Sequence, residues 1–276
     1  YKMNKKILII GQKGFIGSNI FKFFKNKKLK VFSLSFEGFI NDHKKNYNKF
    51  DIIINCSSNK KFIQNKYQIK NDNDLIIAKK IIHSKTKLVM LSTRKIYQAK
   101  FNISESDKKK PKCNYSKNKL ISENSVLKIL INNVLILRIS NIIGLQNNNR
   151  RKLHKTFSDV FFETAKRGFI YKNKKIYKDF ISIKKFNQIV LELIKKDSFG
   201  VYNVSLGKKI YINQLVTWLN FYNLKKMNIL NPQNSFNNDS FTLNNKKLMG
   251  KIKIKNDVQE LKTECLRISK YFFKKK

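Results

Sequence analysis

Cysteine, proline and glycine are all scarce in this chain of 276 residues, at three, two and nine. Three cysteines, Cys56, Cys113 and Cys265, are too few and too scattered for a disulfide framework or a four-ligand zinc site, and they read as reduced thiols. With only Pro111 and Pro232, and no repeat, nothing in the sequence marks a linker. His43, His83 and His154 lack metal-ligand spacing, so no metal is expected. No apolar run approaches the roughly 20 residues that cross a bilayer, and Ile7–Ile10 is too short for a signal-peptide core. The chain reads as soluble and cytoplasmic.

Acidic residues are scarce too: 17 Asp and Glu face 60 Lys and Arg, a formal charge of +43. Such an excess would ordinarily point to nucleic acid. Here it is overwhelmingly lysine and runs from Lys2 to Lys276, without the arginine-rich local patch that base or phosphate recognition favours. Abundant Lys, Asn, Ile, Phe and Tyr beside little Ala, Gly and Pro are the joint signature of an A/T-biased coding sequence. Compositional drift is therefore preferred over a nucleic-acid partner, although the charge speeds encounter with any anionic ligand.

What is present is a core: 41% of the residues are hydrophobic, enough for one large domain or a domain with an added lobe. Short apolar runs predict buried strands at Lys6–Ile10, Lys30–Leu34, Asp51–Cys56, Lys87–Ser92 and Val134–Ile139. Ile16, Ile20, Phe23 and Phe24 form a helical stripe after the first, and Leu75, Ile76, Ile77, Ile81 and Ile82 another before the fourth. Alternation of this kind predicts a Rossmann-type, doubly wound parallel α/β sheet, whose ligands bind beyond the carboxyl ends of the strands.

The first strand runs into Gly11-Gln12-Lys13-Gly14-Phe15-Ile16-Gly17. A tight turn, close backbone approach to a pyrophosphate and close helix packing each need a residue without a side chain, so three of the nine glycines spaced here point to a dinucleotide. Beyond the fourth strand stand Ser92 and Thr93, and Tyr115-Ser116-Lys117-Asn118-Lys119 opens a later helix. Tyr115 and Lys119 share a helix face, where an ammonium can lower a phenol's pKa. The same spacing recurs at Tyr1/Lys5, Tyr171/Lys175, Tyr222/Lys226 and Tyr271/Lys275, so position singles out Tyr115/Lys119, which alone follows a buried strand ending in hydroxyl residues.

These elements, in this order, resemble the extended short-chain dehydrogenase/reductases, a family of nucleotide-sugar epimerases, dehydratases and reductases. GQKGFIG resembles the family's cofactor loop, and DIIINCSSN the strand ending Asn-Ala-Ala-Ala of its dTDP-4-dehydrorhamnose reductases. Asn71 stands where the family has an asparagine, LVMLSTRKIY is similar to the strand with the catalytic Ser/Thr, and YSKNK to the YxxxK motif. LRISNIIG, YKDFISI and GVYNVSLGKKI are similar to later family segments. The resemblance implies Thr93, Tyr115 and Lys119 as catalytic, with Thr93, Asn141 and Lys178 at the substrate. It implies a cofactor site of Gly11, Lys13, Gly14, Phe15, Ile16, Gly17, Ser35, Cys56, Ser57, Ser58, Asn71, Tyr115 and Lys119. Tyr115 would pass a proton to or from the sugar oxygen, Lys119 would hold the nicotinamide ribose, and Thr93 would hydrogen-bond the same oxygen.

Departures narrow the reaction. Arg94-Lys95 replaces the Asp-Glu pair of the 4,6-dehydratases, and Lys95 the cysteine of the GDP-fucose synthases. A 4-keto-sugar reductase in surface polysaccharide synthesis is thus the leading expectation, a nucleotide-sugar 4-epimerase the alternative, and a non-catalytic Rossmann protein binding a polyanion the alternative of another class. Gln98 stands where many members have glycine, and Lys178 where they have arginine. Ser35 in place of an acidic residue, with Lys13 nearby, favours NADP, whereas Glu37 could serve NAD. The expected division is a nucleotide-binding domain over 1–145 and a substrate lobe over 146–276, with 176–204 returning to the first and Asp179–Ile194 helical. Arg150 and Arg151 would suit a diphosphate, and whether the chain forms a homodimer is left open.

Overall fold

In the computed structural model, whose described residues are 4–41, 47–145, 155–230, 239–255 and 257–274, the apolar runs do become strands. They are β1 (Lys6–Ile10), β2 (Lys30–Leu34), β3 (Ile52–Asn55), β4 (Lys87–Thr93) and β5 (Val134–Ile139). In β1 every residue after Lys6 is buried, in β3 and β5 every residue, the signature of a sheet covered on both faces. The sheet has six strands, ordered Gly200–Val204, β5, β4, β3, β1, β2, and β1 to β5 pair in parallel. The chain goes from β1 to β2 on one side and then to β3 on the other, which makes the gap between β1 and β3 the topological switch point. Helix α1 (Phe15–Asn26) follows β1 and buries Ile20 and Phe24 of the predicted stripe, with Gly17 beside them, while Ile16 and Phe23 are half-buried. The Asn73–Ile81 helix buries Leu75, Ile77, Ala78 and Ile81, whereas Ile82 is exposed.

The chain divides into two units, each built from three segments. The first comprises Tyr1–Gln98, Lys108–Ile139 and Asn187–Tyr202, and its core joins Leu8, Ile53, Leu88 and Ile136 of the sheet to Ile77 and Val126 of two covering helices. The second comprises Ala99–Asp107, Ser140–Phe186 and Asn203–Lys276. It packs Phe162, Phe180, Leu215, Trp218, Leu261 and Ile268 around short strand pairs such as Asn141–Ile143 with Phe180–Ser182. Asp179–Ile194 departs from the expected helix: Phe180–Ser182 is a buried strand, and the helix begins at Ile183. Two apolar residues and a serine fit either state, and pairing with Asn141–Ile143 decides for strand. His43, His154, Arg150 and Arg151 lie outside the described residues.

Candidate functional site

The site grows from the end of β1. Gly11 has φ +85°, a left-handed conformation natural to glycine, and a Cβ there would stand 2.7 Å from the Ser57 nitrogen. That close approach exists because Cys56 N donates to the Ile10 carbonyl at 2.8 Å, bringing the ends of β1 and β3 together at the switch point. Gly17 has the opposite reason: a Cβ would collide with the Gly11 carbonyl oxygen as α1 packs back on the turn. Gly14 is exposed and caps α1 without a side chain; a Cβ would meet only the Gly11 oxygen, at an ordinary 3.5 Å. The protein's own packing does not require glycine at this position. Its bareness leaves open space at the first turn of a helix, where backbone N–H groups favour an anion.

From Ser57 a buried polar chain leads to the predicted catalytic pair. Ser57 Oγ donates to Asn55 Oδ1 at 2.6 Å, Asn55 Nδ2 donates to Asp74 Oδ1 at 2.6 Å, and Lys119 Nζ donates to Asp74 Oδ2 at 2.7 Å. Asn73 Nδ2 adds a bond to Ser57 Oγ at 2.9 Å. Lys119 and Tyr115 sit one turn apart on the Asn114–Leu130 helix, whose start is fixed by Ser116 Oγ donating to the Cys113 carbonyl at 2.9 Å. Asn118 ties the same helix to the segment after β3, its amide donating to the Phe62 and Asn65 carbonyls at 2.7 and 2.9 Å.

Electrostatics here differ from the simple expectation. Burial pushes the Tyr115 phenol above its ordinary value; Lys119 pulls it down, but Asp74 and Cys113 add to the rise. For Lys119 burial opposes the charge, yet Asp74 and Tyr115 outweigh it and hold the ammonium firmly protonated. Burial, with Asp74 beside it, pushes the Cys56 thiol well up, so this cysteine is no nucleophile. Cys113 is held below the usual thiol value: burial works against the thiolate, but the hydrogen bonds from Ser116 and the charge of Lys95 prevail.

The other predicted residues are more dispersed. Thr93 ends β4, buried, its Oγ1 accepting from Lys95 N at 3.2 Å. Phe15 and Ile16 open α1, Lys13 is exposed in the turn, and Ser58 lies in the loop after β3. The Ser35 hydroxyl caps a short helix by accepting from Gly38 N at 2.9 Å, and Asn71 donates to Gln68 Oε1 at 3.1 Å. In the second unit Asn141 Nδ2 donates to the Asp179 carbonyl at 3.1 Å, and Lys178 pairs with Asp239 at 3.0 Å.

Sequence reasoning missed Asp74, whose place in an Asn-Asp-Asn-Asp run reads as helix capping, and it missed a second buried cluster. Glu123 takes Arg138 Nη2 at 2.7 Å, accepts from Ser92 Oγ, and shares Arg138 with Tyr97 OH at 2.6 Å. With only six arginines among 60 basic residues, a lone arginine inside an apolar strand was the available signal. Among the described residues no cluster of His, Cys, Asp and Glu could hold a metal, and no helix is long and apolar enough to cross a membrane.

Solved structures share this fold over nearly the whole chain. The UDP-N-acetylglucosamine 4-epimerase from Methanobrevibacter ruminantium M1, in complex with UDP-N-acetylmuramic acid, is 19% identical, with a TM-score of 0.78 and 98% of each chain covered. RMD from Pseudomonas aeruginosa, complexed with NADPH, is 15% identical, with a TM-score of 0.79 and 98% and 100% of the two chains covered. The dTDP-4-dehydrorhamnose reductase from Bacillus anthracis, in complex with NADP, is 16% identical, with a TM-score of 0.77 and 97% and 98% covered. No curated protein matches the chain. The family model described as RmlD substrate binding domain matches residues 5–166, more than half of the sequence. By that match, over a stretch that contains the glycine turn, Thr93, Tyr115 and Lys119, the chain belongs to the RmlD substrate-binding-domain family.

Proposed function

We propose that the chain is a cytoplasmic NAD(P)H-dependent oxidoreductase acting on a nucleotide-activated sugar, a 4-keto-sugar reductase in surface polysaccharide synthesis. The observation that carries this reading is the first unit's sheet edge, where a glycine turn at the switch point is joined through Ser57, Asn55 and Asp74 to Lys119. Membership of the RmlD family and the fold shared with proteins solved with NADP or NADPH support it.

The residues fit a dinucleotide, since Gly14 leaves clearance its own packing does not demand. Gly11, Lys13, Gly14, Phe15, Ile16 and Gly17 would hold the pyrophosphate, and Ser35, Cys56, Ser57, Ser58 and Asn71 would line the rest of the site. When bound, the nicotinamide supplies the hydride. Tyr115 donates its phenolic proton to the carbonyl oxygen as that oxygen gains charge, Thr93 steadies the same oxygen, and Lys119 orients the ribose and bears on the phenol. Asn141 and Lys178 are assigned to the nucleotide sugar; Lys178 would have to exchange its bond to Asp239 for the ligand. NADP is preferred over NAD, because Ser35 puts no carboxylate against a 2′-phosphate and exposed Lys13 is free to reach one.

Tyr115→Phe tests the assignment. Turnover of a dTDP- or UDP-4-keto sugar with NADPH should fall at least ~100-fold while cofactor affinity stays near wild type. Unchanged turnover removes Tyr115 from the chemistry. The 4-epimerase alternative requires the purified protein to interconvert two C4-epimers without added cofactor.

A further inference from the structure

The mechanism above does not use Asp74, yet this carboxylate is the buried group closest in charge terms to the catalytic pair. Its side chain and that of Lys119 are only 4% and 6% exposed, and their ion pair is 2.7 Å long. Asn55 fixes the other carboxylate oxygen at 2.6 Å, so Asp74 cannot swing away without breaking a second buried bond. We propose that Asp74 is a positioning residue of this site: by taking the Lys119 ammonium into a buried ion pair, it keeps Tyr115 in the proton-donating form that ketone reduction needs. The proposal rests on the reductase reading and deepens it.

The titratable groups around the cluster of Tyr115, Lys119 and Asp74 come from three directions. Its own helix brings Lys119 and, at the cap, Cys113, which in turn feels Lys95. The Asn73–Ile81 helix brings Asp74, with Asp72 at its cap, and the end of β3 brings the Cys56 thiol. Asp72 is itself occupied, accepting from Ser122 Oγ and Tyr67 OH at 2.9 Å each, and burial beside Asp74 pushes its carboxyl up. A lone buried lysine would pull the phenol strongly toward phenolate; one whose charge is already matched by a carboxylate pulls less. Burial then dominates, in agreement with the upward direction at Tyr115. Asp74 leaves the equilibrium between ketone and alcohol untouched, because the reactants set it. What it sets is the pH above which the donor is lost.

The test compares wild type with Asp74→Asn, which keeps an oxygen for Lys119 but removes the charge. Tyrosine labelled with carbon-13 at Cζ, with Tyr115 assigned from the Tyr115→Phe spectrum, reports the phenol's titration in the free protein. The wild-type phenol should titrate above about 10, and in Asp74→Asn its midpoint should fall by about 1–3 units. In turnover, the alkaline limb of kcat/KM for ketone reduction should move down by the same amount, and Asp74→Glu should restore it. A wild-type midpoint at or below 10, or the same midpoint in both proteins, overturns the proposal; the wild-type measurement decides even if the variant fails to fold. Absence of turnover with every 4-keto sugar overturns the reductase reading, and the titration, which needs no substrate, still decides the part played by Asp74.

Discussion

Two glycines three residues apart, Gly14 and Gly17, call for opposite experiments. Gly17→Ala forces a methyl into the Gly11 carbonyl, a backbone atom that can yield only by moving the turn, so it should lower stability by about 1–3 kcal/mol, visible as a fall in Tm without any ligand. Gly14→Ala meets nothing closer than 3.5 Å and should cost under ~1 kcal/mol of stability, chiefly as a poorer helix cap. It should nevertheless weaken NADPH binding at least ~10-fold, because the methyl occupies the clearance assigned to the pyrophosphate; equal Kd values would remove the dinucleotide from this turn. Lys13→Glu separates the cofactors: it should weaken NADPH by roughly 1–3 kcal/mol and NADH much less, titrated at one fixed salt concentration. The triple glycine was legible because each member does a backbone job. Asp74 was not, because its partner lies 45 positions away and no local pattern announces a through-space ion pair.

The Asn114–Leu130 helix is joined to β4 and β5 by Val126 and Leu130 in the core and by the Glu123 cluster, in which Ser92, Arg138 and Tyr97 converge on one buried carboxylate and its partner. Removing only the acid, as in Glu123→Ala, leaves the Arg138 charge stranded and should cost about 3–5 kcal/mol in urea unfolding; replacing both members with apolar residues of similar volume should recover much of that loss. Because this helix carries Tyr115 and Lys119, the single variant should also lose activity out of proportion to its remaining folded fraction. The element boundaries themselves could be read where burial is continuous. Lys6–Ile10 and Val134–Ile139 coincide with the apolar runs that predict them; Lys30–Leu34 keeps its predicted bounds too, but as an edge strand it buries none of its residues, against the expectation of a buried strand. Gly200–Val204 was visible only as a motif and Phe180–Ser182 was taken for helix, since strands this short owe their form to neighbours distant in sequence.

Over the molecule as a whole, two carboxylates should give the stability profile opposing slopes on the acid side. Asp197 is held down at about 2 by its bonds to Lys87 and Lys5, so the stability it adds is present above its unfolded value of 3.8 and is lost as pH falls toward 2. Most of its side chain is exposed, so solvent screening keeps this contribution small. Asp179 is pushed up to about 7 by burial, although Leu243 N and Gly207 N donate to it. Its proton is therefore bound more tightly in the folded chain, and stability from this group falls as pH rises from about 4 to 7, by up to roughly 4 kcal/mol. Thermal melts across that range should show the fall in the wild type and its absence in Asp179→Asn. The charge of +43 adds a further signature: Tm should rise as salt increases from about 0.01 to 0.3 M, while binding of generic DNA disappears near 0.15 M if the excess is compositional.

The order of strands in the sheet also bears on how the chain is made. β5 is buried along its whole length, and the strand on its outer side, Gly200–Val204, is synthesised some sixty residues later. During that interval on the ribosome β5 is a bare, apolar sheet edge without the lysines or prolines that discourage stray pairing. A fragment ending at residue 145 freezes this intermediate. It should fold enough of the parallel sheet to expose that edge and should self-associate or engage chaperones, whereas a fragment extended through Val204 closes the edge with its own chain.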